Sequence, residues 1–412
     1  MKILVLGGAG DMGRMVVAAL LSAPQVTAVT IADKNYALAQ KIVEITGSKK
    51  LMAVELDITD EEKLYDFMCS YDLIVNTVGP FYKFGVPILK TAIKAERNYL
   101  DICDDWKPTI EMLKLDEEAK AAGITAIIGI GASPGITNLM AVKACSELDE
   151  VEEIITGWGL GSTKSGKKPQ FFIGRKKLFD KSKKEEKQAN AALLHLIYEG
   201  IGKIPTFRDG QLIEIEALSE IQSFKFPAGG KAIYACHIGH PEPVTLSRTL
   251  KARSISNVMY LTKYITNQLR EYLRRIEAQE MAETDVALAI ERILNKWWIN
   301  IYLFFWLLSR FFKLPPELCV LATGKKENKL KKVAIGLRYR PYGEAEEGMD
   351  GVTSIPLAVA TLMVIDGKIT KTGVLTPEEA IEPNEFFERY AKYCKEGLIA
   401  KDVLIEKIID LE

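Results

Sequence analysis

The first thirteen residues restrict this chain more than any other stretch. An apolar run, Ile3-Leu4-Val5-Leu6, passes directly into Gly7-Gly8-Ala9-Gly10-Asp11-Met12-Gly13, so that Gly8, Gly10 and Gly13 form a G-x-G-x-x-G pattern at the end of a strand. Gly8 permits a tight turn, Gly10 removes a Cβ from the path of a pyrophosphate, and Gly13 lets the following helix close on the strand. That helix, opened by Asp11 and Met12, would aim unpaired N–H groups and a partial positive charge at phosphates. A second strand ends at Asp33, about 20 residues after Gly13, where a carboxylate accepts hydrogen bonds from adenosine ribose hydroxyls. Strand, glycines, helix, strand and acid in this order predict dinucleotide binding; a turn that needs glycine only for packing is the competing reading. Asp33 repels a 2′-phosphate and so favours NAD, while Lys34 softens the preference and leaves NADP open. Asp57, closing the third strand, reads either as a neighbour of adenine or as a capping acid before Thr59.

Apolar runs continue to alternate with amphipathic stretches up to about residue 150. Ile3 to Leu6, Ala28 to Ile31, Met52 to Leu56, Leu73 to Val78, Tyr99 to Ile102 and Ile124 to Ile130 read as strands. Helical patterns fall between them, the last from Pro108 to Ala122. Such alternation predicts an α/β fold, a Rossmann-type doubly wound parallel sheet covered on both faces. Beyond 150 the strand-like pieces Glu153 to Gly157, Leu212 to Ile215 and Lys231 to His237 suggest a second, α+β domain, with a hairpin at Arg208-Asp209-Gly210-Gln211. Residues 256 to 312 read as mostly helical, a strand follows at Lys332 to Tyr339, and Thr353 to Ile365 and Glu385 to Cys394 as amphipathic helices. The expected division is 1–135, 136–350 and 351–412.

Composition narrows the class. In 412 residues, 48% are hydrophobic and 26% charged, as in soluble globular chains, and the net charge of -1 provides no overall field for nucleic acid. The six cysteines are scattered without a CxxC pair. The N-terminal residues form a strand rather than a secretory signal, so a cytoplasmic location is expected.

Four segments together carry a resemblance. GGAGDMGR at 7–14, NTVGPFYKFGVPILKTAIKAERNYLDICDD at 76–105, GASPGITN at 131–138 and GVTSIPLAVATLMVIDGKITKTGVLTPEE at 351–379 are similar to the saccharopine dehydrogenase family, which includes saccharopine reductases, lysine dehydrogenases and carboxynorspermidine dehydrogenases. The resemblance implies NAD(P)-dependent hydride transfer at a C–N bond of an amino acid or derived imine. It also implies a homodimer whose inserted domain carries the dimer contacts and helps bind the substrate, and a C-terminal stretch that returns to the first domain. By the same resemblance, Val78, Gly79 and Pro80 lie along the nicotinamide half of the cofactor, with Phe81 toward the substrate. Residues 160 to 190 and 285 to 330 match no motif of the family.

In such chemistry the cofactor carries the hydride, and the protein must supply positioning and a proton acceptor or donor. Ligands bind outside the carboxyl ends of parallel strands. Asp101 and Asp104, with Tyr99 on the same strand, are therefore the acid/base candidates, although Asp104 or Asp105 also reads as a helix cap. Cys103 reads as a buried thiol. Ser133, Pro134, Gly135 and Asn138 open a helix that can receive a substrate carboxylate or the nicotinamide amide, or else form a structural turn. His240, in the turn Gly239-His240-Pro241, is a candidate for substrate contact or proton transfer. Cys236, His237 and His240 lack a fourth ligand, so no metal is expected; His195 reads as packed in an apolar helix.

Two further stretches stand out. The Lys/Arg-rich segment from Lys164 to Lys187 reads as a solvated loop, since no nucleic-acid motif surrounds it. Trp297 to Phe312, apolar on every side as a helix but too short to span a bilayer, reads as buried at a dimer interface or in the second domain, or else as a peripheral membrane contact or the wall of a lipid-like substrate pocket. The readings that compete with a soluble C–N oxidoreductase are a non-catalytic dinucleotide-binding regulator and a peripheral membrane oxidoreductase with an apolar substrate.

Overall fold

The structure, a computed structural model, describes residues 1–159, 161–168, 171, 172, 174, 178, 191–220, 222–227, 232–294, 314–343 and 349–411. The helix expected over Trp297 to Phe312, and most of the basic stretch from 164 to 187, lie outside these residues. The chain forms two compact units. The first comprises Met1–Leu139, Lys164–Lys184 and Tyr339–Val403; the second comprises Met140–Thr163, Glu185–Arg338 and Leu404–Glu412.

In the first unit, β1 (Lys2–Leu6), β2 (Ala28–Asp33), β3 (Leu51–Glu55), β4 (Leu73–Asn76), β5 (Asn98–Asp101) and β6 (Thr125–Ile127) form a parallel sheet. Its order is β3-β2-β1-β4-β5-β6, and the strand Gly373–Leu375 adds to the outer side of β6, also in parallel. The order reverses between β1 and β4, the switch point at which open α/β sheets bind ligands. Strands β1 and β4 are continuous apolar runs because both of their faces are covered.

The connecting helices are α1 (Asp11–Leu21), α2 (Tyr36–Thr46), α3 (Glu61–Cys69), α4 (Phe81–Lys94), α5 (Trp106–Leu113) and α6 (Asp116–Ala121). Helix α1 is buried from Gly13 to Leu21, because the returning helix Met349–Ile365, itself apolar nearly all round, packs over it. The single helix expected from Pro108 to Ala122 is divided. The Asp116 carboxylate accepts a hydrogen bond of 3.0 Å from the Val374 amide, which draws α6 onto the added strand.

The second unit contains a mixed sheet of nine strands, and along its main path Gln211–Glu216, Lys203–Arg208, Ala252–Leu261, Glu150–Gly159, Leu318–Lys326, Lys329–Leu337 and Leu404–Asp410 are neighbours in that order. The hairpin forms where expected, with Asp209 at φ 49° and Gly210 at φ 79°. The second unit differs from the sequence reading in three places. Ala252–Leu261 is a central strand, not the start of a helical region; among the described residues of that region, helices come at Lys263–Glu277 and Glu283–Leu294. Its consecutive residues Val258, Met259 and Tyr260 are all buried, which erases the period of two. Asn257 sits in the same strand because its amide accepts from Trp158 Nε1 at 3.1 Å and donates to Thr156 Oγ1 at 2.9 Å. Leu318–Lys326, not anticipated, is buried for the same reason. Lastly, the expected 351–412 segment divides after Val403: the strand Leu404–Asp410 pairs antiparallel with Lys329–Leu337 and belongs to the second unit.

Candidate active site

The glycine loop occupies the carboxyl end of β1. Gly7 has φ 71°, and its amide donates to the Ala32 carbonyl at 2.9 Å, so the turn leaves β1 without losing the sheet hydrogen bond. A Cβ on Gly13 would lie 2.3 Å from the Gly7 carbonyl oxygen and 2.5 Å from Gly8 Cα, closer than any side chain tolerates. Helix α1 is capped by Gly10 with no side-chain hydrogen bond. Its first amides therefore face outward as donors, the arrangement an anionic pyrophosphate requires.

Asp33 stands beside this loop. One carboxylate oxygen accepts from the Ala9 amide at 3.1 Å and the other from the Asn35 amide at 2.9 Å. Each keeps a lone pair for a ribose hydroxyl. Lys34, 81% exposed, reaches Asp57 at 2.9 Å across the ends of β2 and β3. The Thr59 hydroxyl, Lys34 and the Thr59 amide hold the Asp57 carboxyl well below its usual range. Asp57 does not cap α3; Asp60 does, accepting from the Lys63 amide at 3.2 Å. Arg14 is buried, bound to Asp11 at 2.6 Å, with its guanidinium 5.9 Å from the centre of the Phe172 ring. Gly8, Gly10, Asp11, Met12, Gly13 and Asp33 thus make a cradle that fits a dinucleotide.

The ends of β4, β5 and β6 are joined by one hydrogen-bonded chain. Asn76 Nδ2 donates to the Tyr99 hydroxyl at 2.9 Å, which donates to Asp101 Oδ2 at 2.8 Å; Asp101 Oδ1 accepts from the Cys103 amide at 3.0 Å and the Gly129 amide at 2.8 Å. Burial pushes the Asp101 carboxyl up to about 6 against the pull of these donors, and pushes the Tyr99 phenol and the Cys103 thiol well up. Tyr99 and Asp101 are fully buried. They tie three loops together and do not present groups to a ligand, which corrects the expectation of direct proton transfer. Asp104, three residues beyond the strand, is half-buried. Asp105 is the residue that precedes α5, but its carboxylate accepts from the Tyr82 amide at 2.8 Å rather than capping α5.

Val78 is half-buried and packs on Gly7, while Gly79 and Pro80 are exposed. Phe81 is turned into the core of α4, 5% exposed, which corrects its assignment to substrate contact; its neighbour Tyr82 is 45% exposed. In the turn after β6, Gly135 has φ 119°, and a Cβ there would meet the Gly131 oxygen at 2.2 Å. Asn138 closes this turn, accepting from the Gly135 amide at 2.9 Å and donating to Glu378 at 2.8 Å. Pro134, Gly135 and Asn138 are buried and Ser133 is half-buried, so of these four only Ser133 retains surface.

His240 belongs to the second unit and is buried, with its ring 5.2 Å from that of Trp158. Glu199 and Glu242 flank it, at 2.7 Å from Nε2 and 3.3 Å from Nδ1. Burial opposes a charge on His240, but the two carboxylates outweigh it and raise the imidazolium to about 10. Sequence reasoning missed both acids. His237 instead approaches Glu220 at 3.5 Å, and the buried Cys236 thiol donates to the Met259 carbonyl, so the trio Cys236, His237 and His240 is not brought together.

Residues 3–127 match the family model described as saccharopine dehydrogenase NADP binding domain. The first unit thus contains a stretch similar to that dinucleotide-binding domain. Two of the four segments that carry the resemblance, 7–14 and 76–105, fall within this match, which supports NAD(P) as the dinucleotide. Saccharopine dehydrogenase [NADP(+), L-glutamate-forming] of Saccharomyces cerevisiae is 30% identical over 147 residues, which cover 36% of this chain and 31% of that relative. The enzyme of the same name from Schizosaccharomyces pombe is 21% identical over a stretch covering 92% of this chain and 94% of its own. The apo structure of a histidine-tagged saccharopine dehydrogenase (L-Glu forming) from Saccharomyces cerevisiae covers 100% of both chains with a TM-score of 0.63 at 17% identity, a likeness of fold. Among the described residues no helix is long and apolar enough to cross a membrane.

Proposed function

We propose that this protein is an NAD(P)-dependent oxidoreductase that transfers hydride at the C–N bond of an amino acid or of an imine derived from one. The observation that carries the proposal is the glycine cradle with Asp33 at the switch point of a sheet similar to the saccharopine dehydrogenase NADP binding domain. When bound, the nicotinamide supplies or takes up the hydride. The chain's own residues do the rest. The α1 amides and Asp33 hold the pyrophosphate and ribose, and the loop Val78-Gly79-Pro80 borders the nicotinamide half.

Of the two carboxylates first considered, Asp104 is assigned the proton at the reacting nitrogen, because it retains surface at the end of β5. Asp101 is assigned the role of holding the Cys103 and Gly129 amides, and with them the loop that carries Asp104. Ser133, at the mouth of the turn after β6, is assigned to a substrate carboxylate.

The purified protein should reduce NAD(P) with an amino acid, or oxidise NAD(P)H with an imine formed from an amine and an aldehyde or keto acid. A panel of both kinds, read by nicotinamide absorbance, tests this; dinucleotide binding without turnover of any member would defeat it. In an active enzyme, Asp104→Asn should lower kcat at least about 100-fold while dinucleotide affinity stays within about twofold.

A further inference from the structure

The second unit holds a group of side chains that the proposed hydride transfer does not use. The helix Ala191–Glu199 places His195 and Glu199 on one face, four residues apart. His240 comes from the loop after the strand Ile233–His237, and that loop is pinned to the helix because the Gly239 amide donates to the Glu199 carbonyl at 3.0 Å. Glu199 Oε1 lies 2.9 Å from His195 Nε2 and 2.7 Å from His240 Nε2, and one donor atom from each of the three residues lies within 4.8 Å of the others.

These contacts are close but badly aimed. The Glu199 side chain is 1% exposed, yet neither of its oxygens has a hydrogen-bond partner of acceptable geometry, and nor does His240 Nδ1. A buried carboxylate needs positive charge beside it, which a protonated imidazole supplies without metal and a zinc ion would supply on displacing that proton. Two imidazole nitrogens and one carboxylate oxygen within 4.8 Å of one another are the donor types that bind zinc with a fourth position left for water. Bonds of roughly 2.0–2.2 Å would separate tetrahedral donors by about 3.3 Å. The two separations from Glu199 Oε1, 2.9 and 2.7 Å, would open by about half an ångström, and the two imidazole nitrogens lie within 4.8 Å of each other. A carboxylate also stands on the far side of the His240 ring, where an outer partner for a zinc-bound histidine would be placed. His240 Nδ1 faces Glu242 Oε2 at 3.3 Å, and Glu242 is fully buried, so the ring is oriented with Nε2 toward Glu199. The His195 side chain, 22% exposed, leaves a route of entry.

We propose that His195, Glu199 and His240 bind a zinc ion in the second unit, with Glu242 orienting His240. This replaces the expectation of no metal that followed from Cys236, His237 and His240 alone. The missing ligand is Glu199, and it is distant from His240 in sequence.

The full chain, stripped with chelator, reloaded with zinc chloride and desalted, should retain one zinc per chain by elemental analysis. Cobalt in place of zinc should show the visible bands of a four-coordinate ion. Glu199→Gln and His240→Ala should abolish retention, and Glu242→Gln should weaken affinity by roughly 10- to 100-fold. His195→Asn, at a part-exposed position, guards against misfolding; it should also lose the metal while circular dichroism and dinucleotide binding are unchanged. Retention of no zinc by the unaltered chain, or of equal zinc by His195→Asn and Glu199→Gln, would overturn the proposal and leave a metal-free His–Glu cluster.

Discussion

At the scale of single residues, the chemistry of the first unit depends on groups that have no freedom. Gly13 is the strictest case: a methyl group there would sit 2.3 Å from the Gly7 oxygen. Gly13→Ala should therefore raise the dissociation constant for NAD(P)H at least about tenfold and lower the melting temperature, measured by fluorescence titration and calorimetry. Asp33 shapes the loop through the Ala9 amide and is proposed to face the ribose. Asp33→Ala should weaken NAD(H) about tenfold or more and NADP(H) less, since the wild-type carboxylate repels a 2′-phosphate that Lys34 attracts. Affinity for NAD(H) above that for NADP(H) in the unaltered protein is the corresponding expectation. Asp101 makes stability depend on pH. Its folded pKa of about 6 exceeds the ordinary carboxyl value of 3.8, so the folded state holds the proton more tightly than the unfolded state. This contribution is complete below pH 3.8 and is lost as pH rises through about 6, on the order of 3 kcal/mol in all. Asp101→Asn should remove that slope from urea titrations between pH 4 and 6.5, leaving the contributions of other groups.

At the scale of elements, legibility followed burial. The βα alternation to residue 130 was readable because strands buried on both faces of a parallel sheet are short apolar runs, while α2 and α3 keep polar faces. The same double burial hid Ala252–Leu261 in the mixed sheet, where Asn257 and Ser256 interrupt the apolar run. The cradle was legible because its glycines and Asp33 occupy fixed spacings; Asp101 was found but given the wrong task, since burial of its strand end is set by β6 and its turn. Glu199 was illegible because nothing local marks one acid as the partner of two distant histidines. Leu404–Asp410 adds an element prediction. It covers the edge of Lys329–Leu337 through a seven-residue register. Removal of residues 404–412 should lower the melting temperature of the second unit by several degrees and promote association, read by light scattering, because a long strand edge becomes available for pairing.

At the scale of the whole molecule, both units are discontinuous in the chain: the first uses three segments and so does the second. Saturating NAD(P)H should stabilise by about 2.7 kcal/mol at a hundredfold excess over Kd, and hydrogen exchange should slow at residues 7–14 and 33–35. Protection absent from the glycine loop would remove the cradle assignment. The discontinuity also has a consequence during synthesis. Helix α1, buried from Gly13 to Leu21, has its cover in Met349–Ile365, more than 300 residues later. At ordinary elongation rates, its apolar face waits roughly twenty seconds to a minute on the ribosome before the covering helix emerges. The nascent chain is therefore a natural client for holding chaperones, and a fragment ending before that helix should be insoluble even though it contains the complete glycine loop.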